Sequence, residues 1–108
     1  MAFISSPVSF YKVVLYGTQS PQSPIGAFIH CYHGGKNVVS CVFYNDEDNV
    51  PSNNHTPPHR VNLAYPMSKF DCVLNVLQTE KPLYFGFIDT NKLGYISTHS
   101  EPVGEEEG

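Results

Sequence analysis

Imidazoles and thiols are the side chains of this sequence with the widest chemical reach, and they gather in two places. His30-Cys31-Tyr32-His33 is one; His55 and His59, bracketing Thr56-Pro57-Pro58, are the other. Both groups are borderline-soft ligands suited to zinc. On an extended strand Cys31 and His33 share a face while His30 points away. The candidate metal ligands are therefore Cys31, His33, His55 and His59. Against them, zinc sites built from short motifs bring ligands as two close pairs, and Pro57-Pro58 keeps the His55–His59 spacing out of a helix. The plainer reading is solvated loop histidines and a His33 beside a turn. No cofactor is expected on that reading, and zinc is the alternative.

Cys31, Cys41 and Cys72 are also candidate nucleophiles. A reactive thiol needs exposure and a basic neighbour. Cys72 falls in the first turn of a helical segment, where the dipole favours thiolate. Its neighbour Val73 and a staple contact with Met67 favour burial instead, so all three are expected to be structural. The carboxylates Asp46-Glu47-Asp48 and Glu105-Glu106-Glu107 read as solvated charge rather than as a paired acid and base. No Gly-x-Ser-x-Gly elbow, P-loop or Gly-x-Gly-x-x-Gly is present. The seven tyrosines exceed what a core of this size needs, and tyrosine suits interfaces. Ordinary cross-strand packing is the competing explanation for most of them.

The elements that must hold these residues follow from pattern. Gly34-Gly35 joins residues 25–33 to 37–44 as a hairpin. A simple two-residue turn sets Ala27 opposite Val42, Ile29 opposite Ser40 and Cys31 opposite Val38. On the other face Phe28 meets Cys41, His30 meets Val39 and Tyr32 meets Asn37. Cys31 and Cys41 then point to opposite sides and do not meet. Both faces carry apolar residues, so the hairpin is expected to be covered twice, by a helix and by a second sheet or another subunit. Residues 8–16 and 60–65 read as further strands. Residues 45–59 form a long polar loop of the functional or mobile kind. Phe70, Val73, Leu74 and Leu77 have helical spacing, giving one covering helix over about 68–81, with Ser68 as its cap, Asp71 answering it and Pro82 stopping it. Leu83–Ile88 and Leu93–Thr98 form a second hairpin, in which Gly86 and Gly94 leave room for a neighbour. The order β-β-β-β-α-β-β predicts an α+β fold, mainly antiparallel β-sheet or a partly closed barrel.

The 108 residues fit one α+β domain over 1–100 with an acidic C-terminal tail over 101–108. Six scattered basic residues and a net charge of −4 argue against nucleic acid. No apolar run has the length of a membrane span, and the N-terminus lacks the pattern of a signal peptide. Three unevenly spaced cysteines fit reduced thiols in a cytoplasmic protein. The leading expectation is a small non-enzymatic protein–protein or self-association module, a homodimer. The alternative is a small-molecule-binding or enzymatic domain whose site lies between the 45–59 loop and the sheet, built from His55, His59, Arg60 and Tyr65.

Overall fold

The computed structural model describes residues 3–17, 24–56, 60–80 and 82–98. Its strands are β1 (Phe3–Val8), β2 (Phe10–Leu15), β3 (Ile25–His33), β4 (Lys36–Tyr44), β5 (Asn54–Thr56), β6 (Arg60–Pro66), β7 (Leu83–Ile88) and β8 (Leu93–Thr98). A short 3-10 turn, Met67–Lys69, leads into the helix α1 (Phe70–Thr79). The strands form an open three-stranded sheet, β1-β7-β8, and an open five-stranded sheet, β2-β3-β4-β6-β5. This is the expected mainly antiparallel α+β class with one covering helix, in its layered form and not as a barrel.

One core lies between the layers. Ala27, Ile29, Cys31, Val39, Cys41, Phe43, Val61 and Leu63 project from one face of the larger sheet. Leu83, Phe85 and Phe87 meet them from the smaller sheet, and Phe70 and Leu77 from α1. Phe43 stacks on Tyr65, with ring centroids 5.4 Å apart, and takes the edge of Phe70 at 5.0 Å. That aromatic cluster fixes the helix on the sheet. Gly94 allows the two layers to close: a Cβ there would run into Leu63.

The first hairpin departs from the expected register. Gly34 and Gly35 both take positive φ, and Tyr32 faces Asn37 as a two-residue turn requires. One step further the pairing slips, so that Cys31 faces Val39, Ile29 faces Cys41 and Ala27 faces Phe43. Val38 is the extra residue of a β-bulge. The Asn37 amide stabilises it, donating to the carbonyls of Cys31 (3.0 Å) and Val39 (3.1 Å). The bulge moves Cys41 onto the face of Cys31. The two buried thiols hydrogen-bond to each other, contrary to the opposite-sided arrangement that a simple turn implies.

The N-terminal strand is also different. Residues 8–16 do not run as one strand: the chain changes sheets at Ser9. Its N–H donates to the Tyr32 carbonyl (2.8 Å) and its Oγ lies 2.7 Å from His33 Nδ1. Pro7 is accommodated because β1 is an edge strand, where one ladder N–H is dispensable.

The long loop has a topological cause. β4 and β6 are parallel neighbours, and a parallel return needs a connection of a dozen or more residues. Its described part is tied down. Asp46 accepts from the Asn49 side chain (2.6 Å) and the Asp48 N–H (3.0 Å). Asn53 accepts from Ala64 N–H (2.7 Å) and donates to the Lys92 carbonyl (3.0 Å), linking the two sheets. Glu47 caps the helical segment by accepting from Ser68 N–H (3.2 Å). The expected Ser68–Asp71 cap does not form: the N-cap residues are Pro66 for the 3-10 turn and Lys69 for α1, and neither makes a side-chain cap bond of its own.

Candidate functional site

The face of the five-stranded sheet turned away from the core carries a row of polar residues in cross-strand register. Lys12, His30, Ser40, Asn62 and Asn54 face one another in turn across all five strands. Beside it runs an apolar row, Val14, Phe28, Val42 and Ala64. Phe28 stacks on His30 at 5.2 Å and receives the edge of Tyr16 at 6.0 Å. Ser40 and Val42 are buried on this side because they sit on the central strand, flanked by these larger neighbours.

Hydrogen bonding assigns the protons. Both N–H groups of Asn37 are held by backbone carbonyls, so its Oδ1 is left as an acceptor. Ser40 Oγ donates to it at 3.2 Å, and Arg60 Nη1 approaches the same oxygen at 3.5 Å. The single Ser40 proton is then spent, so His30 Nδ1, 2.8 Å from Ser40 Oγ, must be the donor. Neutral His30 carries its proton on Nδ1 and a lone pair on Nε2. Burial lowers the His30 pKa, and the nearby charges of Arg60 and Lys12 lower it further. This arrangement is the reverse of a hydrolytic Ser–His pair. There the imidazole accepts from an accessible hydroxyl, whereas Ser40 is 1% exposed and already donates elsewhere.

The second feature is the β2 edge of the same sheet, which among the described residues has no strand beyond it. Among the described residues the exposed large apolar side chains are Phe10 (74%), Tyr11 (36%), Leu15 (62%), Tyr16 (47%), Leu93 and Tyr95. The first four lie on or directly after β2, an edge strand. Tyr16 N–H donates to Gly26 O, continuing the β2–β3 register. Hydrogen-bonding direction alternates along a strand. Phe10, Lys12 and Val14 therefore turn their backbone groups toward β3, while Tyr11, Val13 and Leu15 turn theirs outward. Beside this edge lies a groove of about 730 Å³, lined by Phe10, Tyr11, Leu77, Gln78 and Leu83 among others.

The residues singled out from sequence are dispersed. Cys31 is buried in the core, while His33 is exposed at the strand end and held by Ser9. His55 faces Val61 on β6, and Arg60, one residue earlier on that strand, belongs to the other face. Tyr65 packs in the core, where burial first, then Cys41 and Cys31, push its phenol pKa up. Arg60 is thus separated from both His55 and Tyr65 by the sheet itself. His59 lies outside the described residues, as does the acidic tail. Among the described residues no three His, Cys, Asp or Glu side chains converge as a metal site. Cys72 is exposed rather than buried. It turns off the Phe70–Leu77 stripe of α1 and lines a shallow pocket of about 300 Å³ with Tyr65, Lys69, Val73, Val76 and Ile96. No helix among the described residues is long and apolar enough to cross a membrane.

Comparison with known proteins finds no matching family model, no matching curated protein and no matching solved structure.

Proposed function

We propose that this chain is a small protein-association module that works by strand addition at the free edge of β2. The observation that carries this reading is the concentration of exposed apolar side chains on one edge strand with outward-facing backbone donors and acceptors. Such an edge is a template for another strand: the main chain supplies affinity and alternate side chains supply specificity. Natural edges are shielded by charge, proline or brevity, and β2 has only Lys12. Free thiols in the core agree with a reducing compartment such as the cytoplasm. Substituting Val13 with proline tests the reading. It removes an outward N–H while leaving the ladder to β3 intact. Association measured by light scattering is expected to be lost while the thermal transition is retained. Association unchanged in Val13→Pro overturns the reading.

A second reading has its own observation. Lys12 and Arg60 both act on His30, and among the described residues the only ion pair is Lys92–Asp89, so neither cation has an acidic partner. The open face could accept an anionic group over His30. Titration of labelled protein with inorganic phosphate, followed by NMR, is expected to move the His30 and Ser40 amides in wild type and not in Arg60→Ala. Unmoved amides in wild type reject it.

A further inference from the structure

Resting on the strand-addition reading, we infer that the strand added at β2 is the β2 of a second copy, antiparallel, with Val13 on the two-fold axis. The residue pattern selects both the partner and the register. A two-fold axis perpendicular to the sheet keeps each face on the same side, so facing residues must share a face. The outward-facing backbone groups must also pair with each other. These two conditions leave three central registers, with Lys12, Val13 or Val14 on the axis.

The Lys12 register sets two ammonium groups directly opposite, which is repulsive. The Val14 register pairs Val13 with Leu15 of the second copy and leaves Phe10 and Tyr11 beyond the overlap. The Val13 register matches everything the edge exposes. Tyr11 meets the second copy's Leu15 on the core side, and Phe10 meets its Tyr16 on the open side. Lys12 meets its Val14, and the outward groups of Tyr11, Val13 and Leu15 are all satisfied. The groove lies at the Phe10–Tyr11 end of the strand, while Leu15 projects at the other end. The two-fold axis brings them together: Leu15 of each copy lands beside Tyr11, at the mouth of the groove lined by Leu77 and Leu83 of the other.

The area is adequate for a weak dimer. At ~200 Å² per large side chain, the exposed parts of Phe10, Tyr11, Leu15 and Tyr16 supply on the order of 400 Å² per copy. Two copies then approach the ~1,000 Å² of a specific interface once backbone is included. An interface of that size belongs with weak, transient associations.

Disulfide trapping between singly substituted chains reads the register. Residues facing each other outside the hydrogen-bonded pairs lie about 4.5 Å apart at Cα, within the reach of a disulfide. In a Cys72→Ser background, Phe10→Cys chains mixed with Tyr16→Cys chains under a glutathione redox buffer are expected to give mixed dimers in high yield. Phe10→Cys with Val14→Cys traps the Lys12 register, and Lys12→Cys with Tyr16→Cys traps the Val14 register; both are expected to trap poorly. These positions are exposed or partly exposed, and the thermal transition of each variant checks its fold. Preferential trapping of either alternative pair overturns the register and keeps strand addition. A dimer by light scattering that Val13→Pro abolishes, with none of the pairs trapped, overturns the second copy's β2 as the added strand. A chain that stays monomeric, with no trapping, overturns both this inference and the reading it rests on.

Discussion

The five-stranded sheet ends differently on its two sides. β5 is three residues long, Asn-His-Thr, and sits within a polar connection pinned by Asn53. β2 is twice that length and carries four exposed apolar residues on or just after it, with one charge. Brevity and polarity are how proteins protect an edge, and long apolar edges are how they recruit a strand. β5 has the protected form, and β2 has the form that suits strand recruitment. That contrast supports the proposed association at β2.

Substitutions at the two ends should separate them most. In the proposed dimer Leu15→Lys puts a charge opposite Tyr11 of the other copy, and association is expected to weaken tenfold or more, about 1.4 kcal/mol at least. His55→Lys on β5 is expected to leave sedimentation equilibrium unchanged. Equal effects from both would erase the contrast.

The protected side depends on its anchors. Asn53→Leu removes an acceptor from Ala64 N–H and a donor from the Lys92 carbonyl, with an expected loss of about 1–3 kcal/mol in urea unfolding. Gly94→Ala forces Leu63 aside where the layers meet, at a cost of about 1–3 kcal/mol. The proposed dimerisation at β2 should survive both.

The smallest effects concern titration and labelling. His30 has a lowered pKa in the fold, so the unfolded chain takes up its proton first. Stability is full above about pH 6.5, the ordinary histidine value, and falls as pH drops toward the folded pKa. His30→Asn should flatten that part of the profile. Hydrogen bonding with Cys31, then burial, hold the Cys41 thiol well above its ordinary pKa. A thiol reagent should therefore modify Cys72 alone in the native protein and all three cysteines after unfolding.

Much of this fold is legible in the residues, and the exceptions have causes. The second hairpin forms as its pattern reads, Leu83 facing Thr98, with Tyr95 lying over Gly86 and Leu63 against Gly94. The helix follows from Phe70, Val73, Leu74 and Leu77. Its cap does not, because Glu47 arrives from a distant loop and local spacing cannot show that. The bulge at Val38 is equally invisible to alternation: the Asn37 amide holds it through the Cys31 and Val39 carbonyls of the same hairpin, and it reverses the relation between Cys31 and Cys41. The parallel pairing of β4 with β6 was signalled only by the length of the loop between them.

The candidate site is less legible. Histidines and cysteines have the widest chemistry, yet the sheet separates Arg60 from His55 and Tyr65. The apolar residues of the first hairpin are buried or partly buried, and among the described residues the exposed apolar side chains gather chiefly on and just after β2 beside it. Ser9 is the point where the chain leaves one sheet to build that edge.

Light scattering across a concentration series, on wild type and Val13→Pro together, tests edge pairing most directly. Wild type is expected to rise from the 12.0 kDa of one chain toward twice that mass, and Val13→Pro to remain at 12.0 kDa with an unchanged thermal transition. A wild type that stays at 12.0 kDa throughout, or a Val13→Pro chain that associates equally well, would contradict it.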